Sequence, residues 1–227
     1  NFFKNNLYNI HQSPLPKYRG GSLTSLIILK EIRALQISIH KNTKKIDEGD
    51  VIFSEDIYIP SLLKTPFDIN NYIQKNIREV SFKFLNNKIR KKETYNPRKQ
   101  NKFFNYYVPR LKSDVNGWID WSHNVYEIER FIRSFDKPYD GALTTLNSKK
   151  VRIRNIDFSL EDSSSHPFEN GLILRKFMNM TVVSVKGGSI YIKDILDEKN
   201  NLILKVNPGD KFISPLKYLE MSKKRVT

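Results

Sequence analysis

Apolar and polar residues alternate from the first ordered-looking stretch of the chain. Leu7–His11, LYNIH, predicts a strand, and side chains two apart on a strand share a face. Asn9 and His11 therefore project together, with Leu7, just before the breaker-rich loop SPLPKYRGG. Polar side chains at the carboxyl end of a strand, followed by a Gly/Pro loop, suit a site on an open α/β sheet. Ser22–Leu35, SLTSLIILKEIRAL, predicts a helix capped by Ser22, with a wide apolar face from Leu23 to Leu35. QISIHKN then alternates as a strand, Ile37 and Ile39 on one face, Ser38 and His40 on the other. DVIFSEDIYI predicts a strand pair or one bent strand. Thr65–Ile89 predicts a long helix: Thr65 caps it, Pro66 takes its first position, and Ile69, Ile73, Ile77, Val80, Phe84 and Leu85 recur at helical spacing. Strand, helix, strand, strand, helix is an α/β pattern.

The periodicity then breaks. Residues 92–112, KETYNPRKQNKFFNYYVPRLK, carry two prolines, dense charge and clustered aromatics, and predict a surface connector pinned by its aromatics. After NGWIDWS comes the amphipathic helix NVYEIERFIRSF. Short β-rich runs follow (KKVRIRNIDFS, NGLILRKF, MTVVSVKGG, SIYIKDIL, NLILKV), separated by Gly, Asn and Asp turns, as in a small barrel or sandwich. The expected division is residues 1–91, a connector at 92–112, and a mostly-β domain at 113–227, without internal repeats.

Composition narrows the classes. The 227 residues, 39% of them hydrophobic, suffice for one large or two modest cores. The chain has no cysteine, which excludes disulfides, zinc–thiolate sites and a thiol nucleophile. No apolar run reaches the roughly 18 residues that span a bilayer and no signal-peptide pattern opens the chain, so a cytoplasmic protein is expected. The net charge of +15 invites a polyanionic partner. Its dense part, Lys88–Lys102, reads equally as a solvated basic connector, and charge alone decides nothing.

Chemistry enters with two motifs. YNIHQSPLPKYRGG resembles the Asn-x-His-x-Ser-x-x-Pro-x-x-Arg-Gly signature of the folate-dependent formyltransferases, and IDEGDVI resembles that family's second motif. NGWIDWSHNVYEIERFIRSFDKPYDGALT resembles the start, and PGDKFISPLKYLE the end, of the C-terminal domain shared by methionyl-tRNA formyltransferases and nucleotide-sugar N-formyltransferases. The resemblance implies the C-terminal part of a Rossmann-like formyltransferase domain followed by a small, mostly-β, barrel-like domain. It implies Asn9, His11 and Asp47 as catalytic residues, the loop Ser13, Pro14, Leu15 and Pro16 against the folate, and Arg19 and Gly20 toward the substrate. Pro14 stands where the family usually has Leu. Family members carry most of a nucleotide-binding half before the Asn-x-His strand, so the natural protein is expected to be longer.

Formyl transfer to an amine passes through a tetrahedral oxyanion. Asn9 offers it an N–H donor, His11 titrates near neutrality and can move a proton, and Asp47 can orient the imidazole. The scheme needs formyl-tetrahydrofolate and no metal. Each residue has a plainer reading: Asn9 and His11 as hydrogen-bonded strand-end residues, and Asp47–Gly49 as a turn. Arg19 can touch a phosphate or brace its loop, Ser13 braces the same loop, and His40 reads as structural. His123 and His166 lie in turns, Trp118 and Trp121 read as core, and Tyr139 and Gly141 as a turn. It is the joint pattern that favours the site.

Three functions compete. A nucleotide-sugar N-formyltransferase of polysaccharide biosynthesis is preferred, because the SPLPKYRGGS loop and Arg110 before the Trp motif resemble the sugar enzymes. A methionyl-tRNA formyltransferase, with tRNA as partner, is the alternative, and an inactive binding module the third. A homodimer is left open.

Overall fold

The computed structural model describes residues 7–161, 166–203 and 205–224. The chain forms two units: the first holds most residues up to Arg110 and the second those from Leu111 onward, while 28–30 and 64–67 group with the second.

The first unit contains β1 (Tyr8–His11), β2 (Arg19–Gly20), α1 (Leu23–Leu29), β3 (Ala34–Lys41), β4 (Val51–Tyr58), α2 (Pro66–Ile89) and β5 (Tyr107–Val108). Its main sheet has the order β1-β3-β4, and both pairings are antiparallel. The register sets Asn9 opposite His40 and His11 opposite Ser38, while Ile10 faces Ile39 and Ile39 faces Phe53. Alternation thus separates a polar face from an apolar one. The apolar face receives α2, whose Phe84 ring lies 5.8 Å from both Tyr8 and Phe53. Around it, α2 buries Ile69, Ile73 and Val80 at the helical spacing the sequence predicts.

One expectation is corrected here and one open alternative is resolved. Helix α1 ends at Leu29 rather than Leu35. The Ile32 N–H still reaches back to Ile27 O at 2.9 Å, but Glu31 turns into the left-handed region (φ 51°), and Leu35 belongs to β3. An apolar residue at helical spacing fits a buried strand equally well, and pairing with two strands decides. DVIFSEDIYI is a single strand. In the 92–112 segment, Tyr95 lies against Phe53 and Phe84, with ring centroids 5.6 and 5.4 Å away. Arg98 exchanges backbone hydrogen bonds with Val51, and β5 pairs in parallel with β2. Phe103, expected among the pinning aromatics, is 86% exposed.

The second unit contains α3 (Ser113–Asn116), α4 (Val125–Ser134), β6 (Ala142–Leu146), β7 (Lys149–Ser159), β8 (Ile173–Phe177), β9 (Met180–Val185), β10 (Gly188–Leu196), β11 (Phe212–Ile213) and α5 (Leu216–Ser222). The strands form one sheet in the order β11-β6-β7-β10-β9-β8. The sheet curls until its ends meet: Leu172 bridges Lys211, and Phe212 N–H donates to Gly171 O at 2.8 Å. A Cβ on Gly171, which sits at φ 83°, would lie 2.4 Å from the Phe212 carbonyl oxygen, so the closure needs glycine. Asn124 caps α4, accepting from the Tyr126 and Glu127 N–H groups at 3.0 Å, while Glu127 accepts from the Asn124 N–H. Val125, Ile128 and Ile132 go into a core with Ile153, Val183, Ile190 and Phe212. Trp121 stacks on Phe212 at 5.6 Å and donates to Thr144 Oγ, and Trp118 stacks on Tyr218 at 4.2 Å; both tryptophans are core, as expected. Tyr139 and Gly141 do build the turn after α4, bonding back to Asp136 and Phe135. NLILKV departs from its predicted strand: Leu202 makes only an isolated bridge, to Leu196, and Leu204 lies outside the described residues. Among the described residues no helix is long and apolar enough to cross a membrane.

Candidate functional site

The polar face of the three-stranded sheet carries Asn9 and His11 on β1 and Ser38 and His40 on β3, because the antiparallel register brings these alternating positions side by side. Where β3 leaves β4, the pairing slips by one residue between Ile39 and His40. Such bulges re-aim a side chain, and His40 is turned inward, 1% exposed. The loop after β3 then brings Asp47 back over this face.

Asp47 is the hub. Its Oδ2 lies 3.6 Å from His11 Nδ1, and its Oδ1 lies 3.5 Å from His40 Nε2 and 3.4 Å from Asn9 Nδ2. The first distance permits an ion pair and exceeds a hydrogen bond. His40 Nδ1 sits 2.9 Å from Lys41 O, a pure acceptor, which assigns the proton to Nδ1 and leaves Nε2 to accept from Asn9 Nδ2 at 3.2 Å. The Asn9 amide is thereby aimed, and its contacts are at the long end of the hydrogen-bond range.

His11 has a different standing. Its Nε2 is buried and makes no hydrogen bond among the described residues. Burial pushes the imidazole pKa below its ordinary value; the Asp47 carboxylate and the Tyr18 carbonyl oppose this, and His40 and Arg19 add to it. A buried ring nitrogen without a hydrogen bond of normal geometry, on an imidazole whose other nitrogen faces a carboxylate, is equipped to take a proton.

The motif loop folds tightly after β1. Ser13 donates its hydroxyl to Lys17 O at 2.9 Å and Ser38 donates to Ser13 O at 2.8 Å, so Ser13 braces the loop. Leu15 is buried, Pro14 and Pro16 are partly exposed, and the Leu15–Pro16 peptide is cis. Gly20 is at φ 104°, and a Cβ there would meet Val108 O at 2.2 Å. Arg19 is 8% exposed; its Nη2 donates to Gln100 Oε1 at 2.5 Å and its Nη1 lies 3.6 Å from Glu48. The structure thus gathers Asn9, His11 and Asp47, as the motifs imply, and adds His40 and Gln100. Sequence reasoning read His40 as structural, though near the site, and passed over Gln100. His40 differs from Ser38 only through the cross-strand register, and Gln100 sits in a segment without periodicity. Among the described residues no cluster of three His, Cys, Asp or Glu side chains could hold a metal.

Residues 112–206 match the formyl transferase C-terminal domain. The chain is 29% identical over 208 residues to the bifunctional polymyxin resistance protein ArnA of Wigglesworthia glossinidia brevipalpis, covering 88% of this chain and 29% of that protein. It is 30% identical over 165 residues to the methionyl-tRNA formyltransferase of Coprothermobacter proteolyticus, covering 69% of this chain and 50% of the enzyme. The chain thus spans half or less of the length of these curated relatives. Among solved structures it resembles the N-formyltransferase from Helicobacter canadensis in complex with folinic acid and dTDP-3-aminofucose. That likeness has a TM-score of 0.61 at 25% identity and covers 83% of this chain and 66% of that one. HypX from Aquifex aeolicus shares the fold, with a TM-score of 0.63 at 19% identity, over 84% of this chain and 32% of that one.

Proposed function

We infer the activity of this chain from the family to which it belongs, the folate-dependent formyltransferases. We propose that the protein carrying it transfers the formyl group of formyl-tetrahydrofolate to the primary amine of a nucleotide-linked amino sugar. The observation that carries this is the buried His11 Nε2 without a hydrogen bond, on a ring whose Nδ1 faces Asp47, the carboxylate that Asn9 also contacts. In this reading the acceptor nitrogen attacks the formyl carbon and the carbonyl becomes an oxyanion. Asn9 gives that oxyanion an N–H in place of one of its long contacts. His11 takes the proton released by the attacking nitrogen, and Asp47 steadies the imidazolium. Collapse then breaks the bond to the folate nitrogen, which receives the proton. Removing one oxyanion donor of this kind costs about a hundred- to a thousandfold in rate.

The loop Ser13, Pro14, Leu15 and Pro16 is assigned to the folate. The three strands of the first unit are read as the carboxyl-terminal part of a Rossmann-like sheet, and the curled sheet of the second as a small barrel. The amino-sugar acceptor is supported by the dTDP-3-aminofucose complex of the Helicobacter canadensis relative and by the Pro14-containing loop. The net charge of +15 and the methionyl-tRNA formyltransferase relatives favour a second reading, with charged initiator tRNA as acceptor. Offering the full-length protein formyl-tetrahydrofolate with dTDP-linked amino sugars or with charged initiator tRNA separates the two. Turnover with a sugar is expected, along with a Michaelis constant that salt changes only mildly. Turnover with tRNA alone, and a steep log–log loss of affinity with salt, would replace the sugar reading.

A further inference from the structure

Asp47 is placed by residues that do not touch its carboxylate. Its backbone is left-handed, φ 55°, a conformation that costs a non-glycine residue about 1 kcal/mol or more unless its surroundings impose it. The loop is also tightly folded: a Cβ on Gly49 would lie 1.7 Å from Lys41 O. The carboxylate's contacts to Asn9, His11 and His40 all measure 3.4–3.6 Å, too long to hold the loop themselves.

What holds it comes from the 92–112 segment and from the motif loop. Gln100 Nε2 donates to two carbonyls of the turn, Asp47 O at 2.9 Å and Gly49 O at 2.6 Å. Gln100 Oε1 accepts from Arg19 Nη2, and Arg19 Nη1 faces the carboxylate of the residue between, Glu48. The amide cannot be flipped without setting oxygen against two carbonyls and nitrogen against a guanidinium. Gln100 thus grips residues 47 and 49 and Arg19 faces residue 48, which Lys45 of the same loop also approaches at 3.8 Å, and Gln100 is itself anchored by the Arg98–Val51 backbone pair two residues away.

We propose that Gln100 and Arg19 are positioning residues that hold Asp47 at its distance from His11, and that Arg19 does this in place of contacting substrate. The inference deepens the formyl-transfer reading and rests on Asp47 serving His11. In Gln100→Met the side chain keeps its length and loses its donors and acceptor, so the turn is free to move. Displacement of a catalytic group by about 1 Å carries on the order of a hundredfold in rate. A ten- to hundredfold fall in kcat is therefore expected, with KM for both substrates changed less than about twofold. The second readout is the titration of the His11 ring followed by NMR in the full-length protein. Asp47 is the acid facing His11, and His40 and Arg19 are the other titratable groups that face it. Loosening Asp47 should lower the His11 pKa further, in the same direction as Asp47→Asn. Arg19→Lys, which keeps charge and loses the fork, should reproduce both effects at smaller size and serves if Gln100→Met fails to fold.

A Gln100→Met protein that melts earlier but keeps its kcat and its His11 titration overturns the proposal. So does an Arg19→Lys protein whose acceptor KM rises tenfold at unchanged kcat. If Asp47→Asn and Gln100→Met both move the His11 titration while Asp47→Asn keeps full turnover, positioning stands and the catalytic reading falls.

Discussion

In the second unit, α4 lays Val125, Ile128 and Ile132 into an apolar core that a sheet encloses by meeting its own edge. In the first unit, the polar positions Ser13, Arg19, Ser38 and His40 are buried around the site, beside Leu15 of the motif loop. Apolar burial is non-directional and fixes volume, while hydrogen-bonded polar groups fix individual atoms. The second unit is built for persistence. The first places polar side chains on one face of its sheet, where hydrogen bonds and close contacts orient three side chains and a turn. Its cost appears at His11, a buried nitrogen with no partner, which is worth about 1–3 kcal/mol against folding.

The largest expected effect tests the polar side of this contrast. His11→Asn and Asp47→Asn should each lower the rate constant for formyl transfer by about a hundred- to ten-thousandfold. Their melting temperatures should shift by no more than about 1 kcal/mol implies, since neither change leaves a core cavity. The double variant should lose much less than the product of the two, because the residues act as one unit. A His11→Asn protein that keeps its activity, or that simply unfolds, makes the strand-end histidine structural.

The apolar side is tested by Ile153→Ala. Ile153 is fully buried in the second unit's core, and its truncation should cost about 2–5 kcal/mol in denaturant unfolding. The kcat of the folded fraction should hold. A matching fall in kcat would show that the division between persistence and chemistry is too sharp.

Smaller effects sharpen the comparison. Asn124→Ala removes the acceptor of two N–H groups at the start of α4 and should cost about 1 kcal/mol of stability. The smallest effect is a pH slope. The folded His11 pKa lies below the unfolded value of 6.5, so between the two the unfolded chain binds more protons. Stability should therefore be complete above pH 6.5 and decline as pH falls through that window. His11→Asn should flatten the slope, measured by chemical denaturation at several pH values.

Long periodic elements were legible in advance. Helix α2 starts at Pro66 and buries Ile69, Ile73, Val80 and Phe84 as its spacing requires, though Leu85 stays exposed, and α4 falls within the predicted NVYEIERFIRSF. The 22–35 segment was legible only in part. Its apolar residues serve a short helix and then a strand, and local spacing does not say where one ends. In the site, strand alternation shows only that Asn9 and His11 share a face; that they and Asp47 belong to one site is what the resemblance to the family motifs implies.

Sequence by itself therefore determined the α/β then β-rich order of elements, because periodicity is a local property of the chain, and it singled out Asn9, His11 and Asp47 only through their resemblance to family motifs. Tertiary structure decided the rest. The register that sets His40 opposite Asn9, the left-handed turn that brings Asp47 over both, and the grip of Gln100 on that turn join residues 31 to 53 positions apart. Such contacts depend on which strands pair and in which register, and that is fixed only when the apolar face of the sheet is buried under α2.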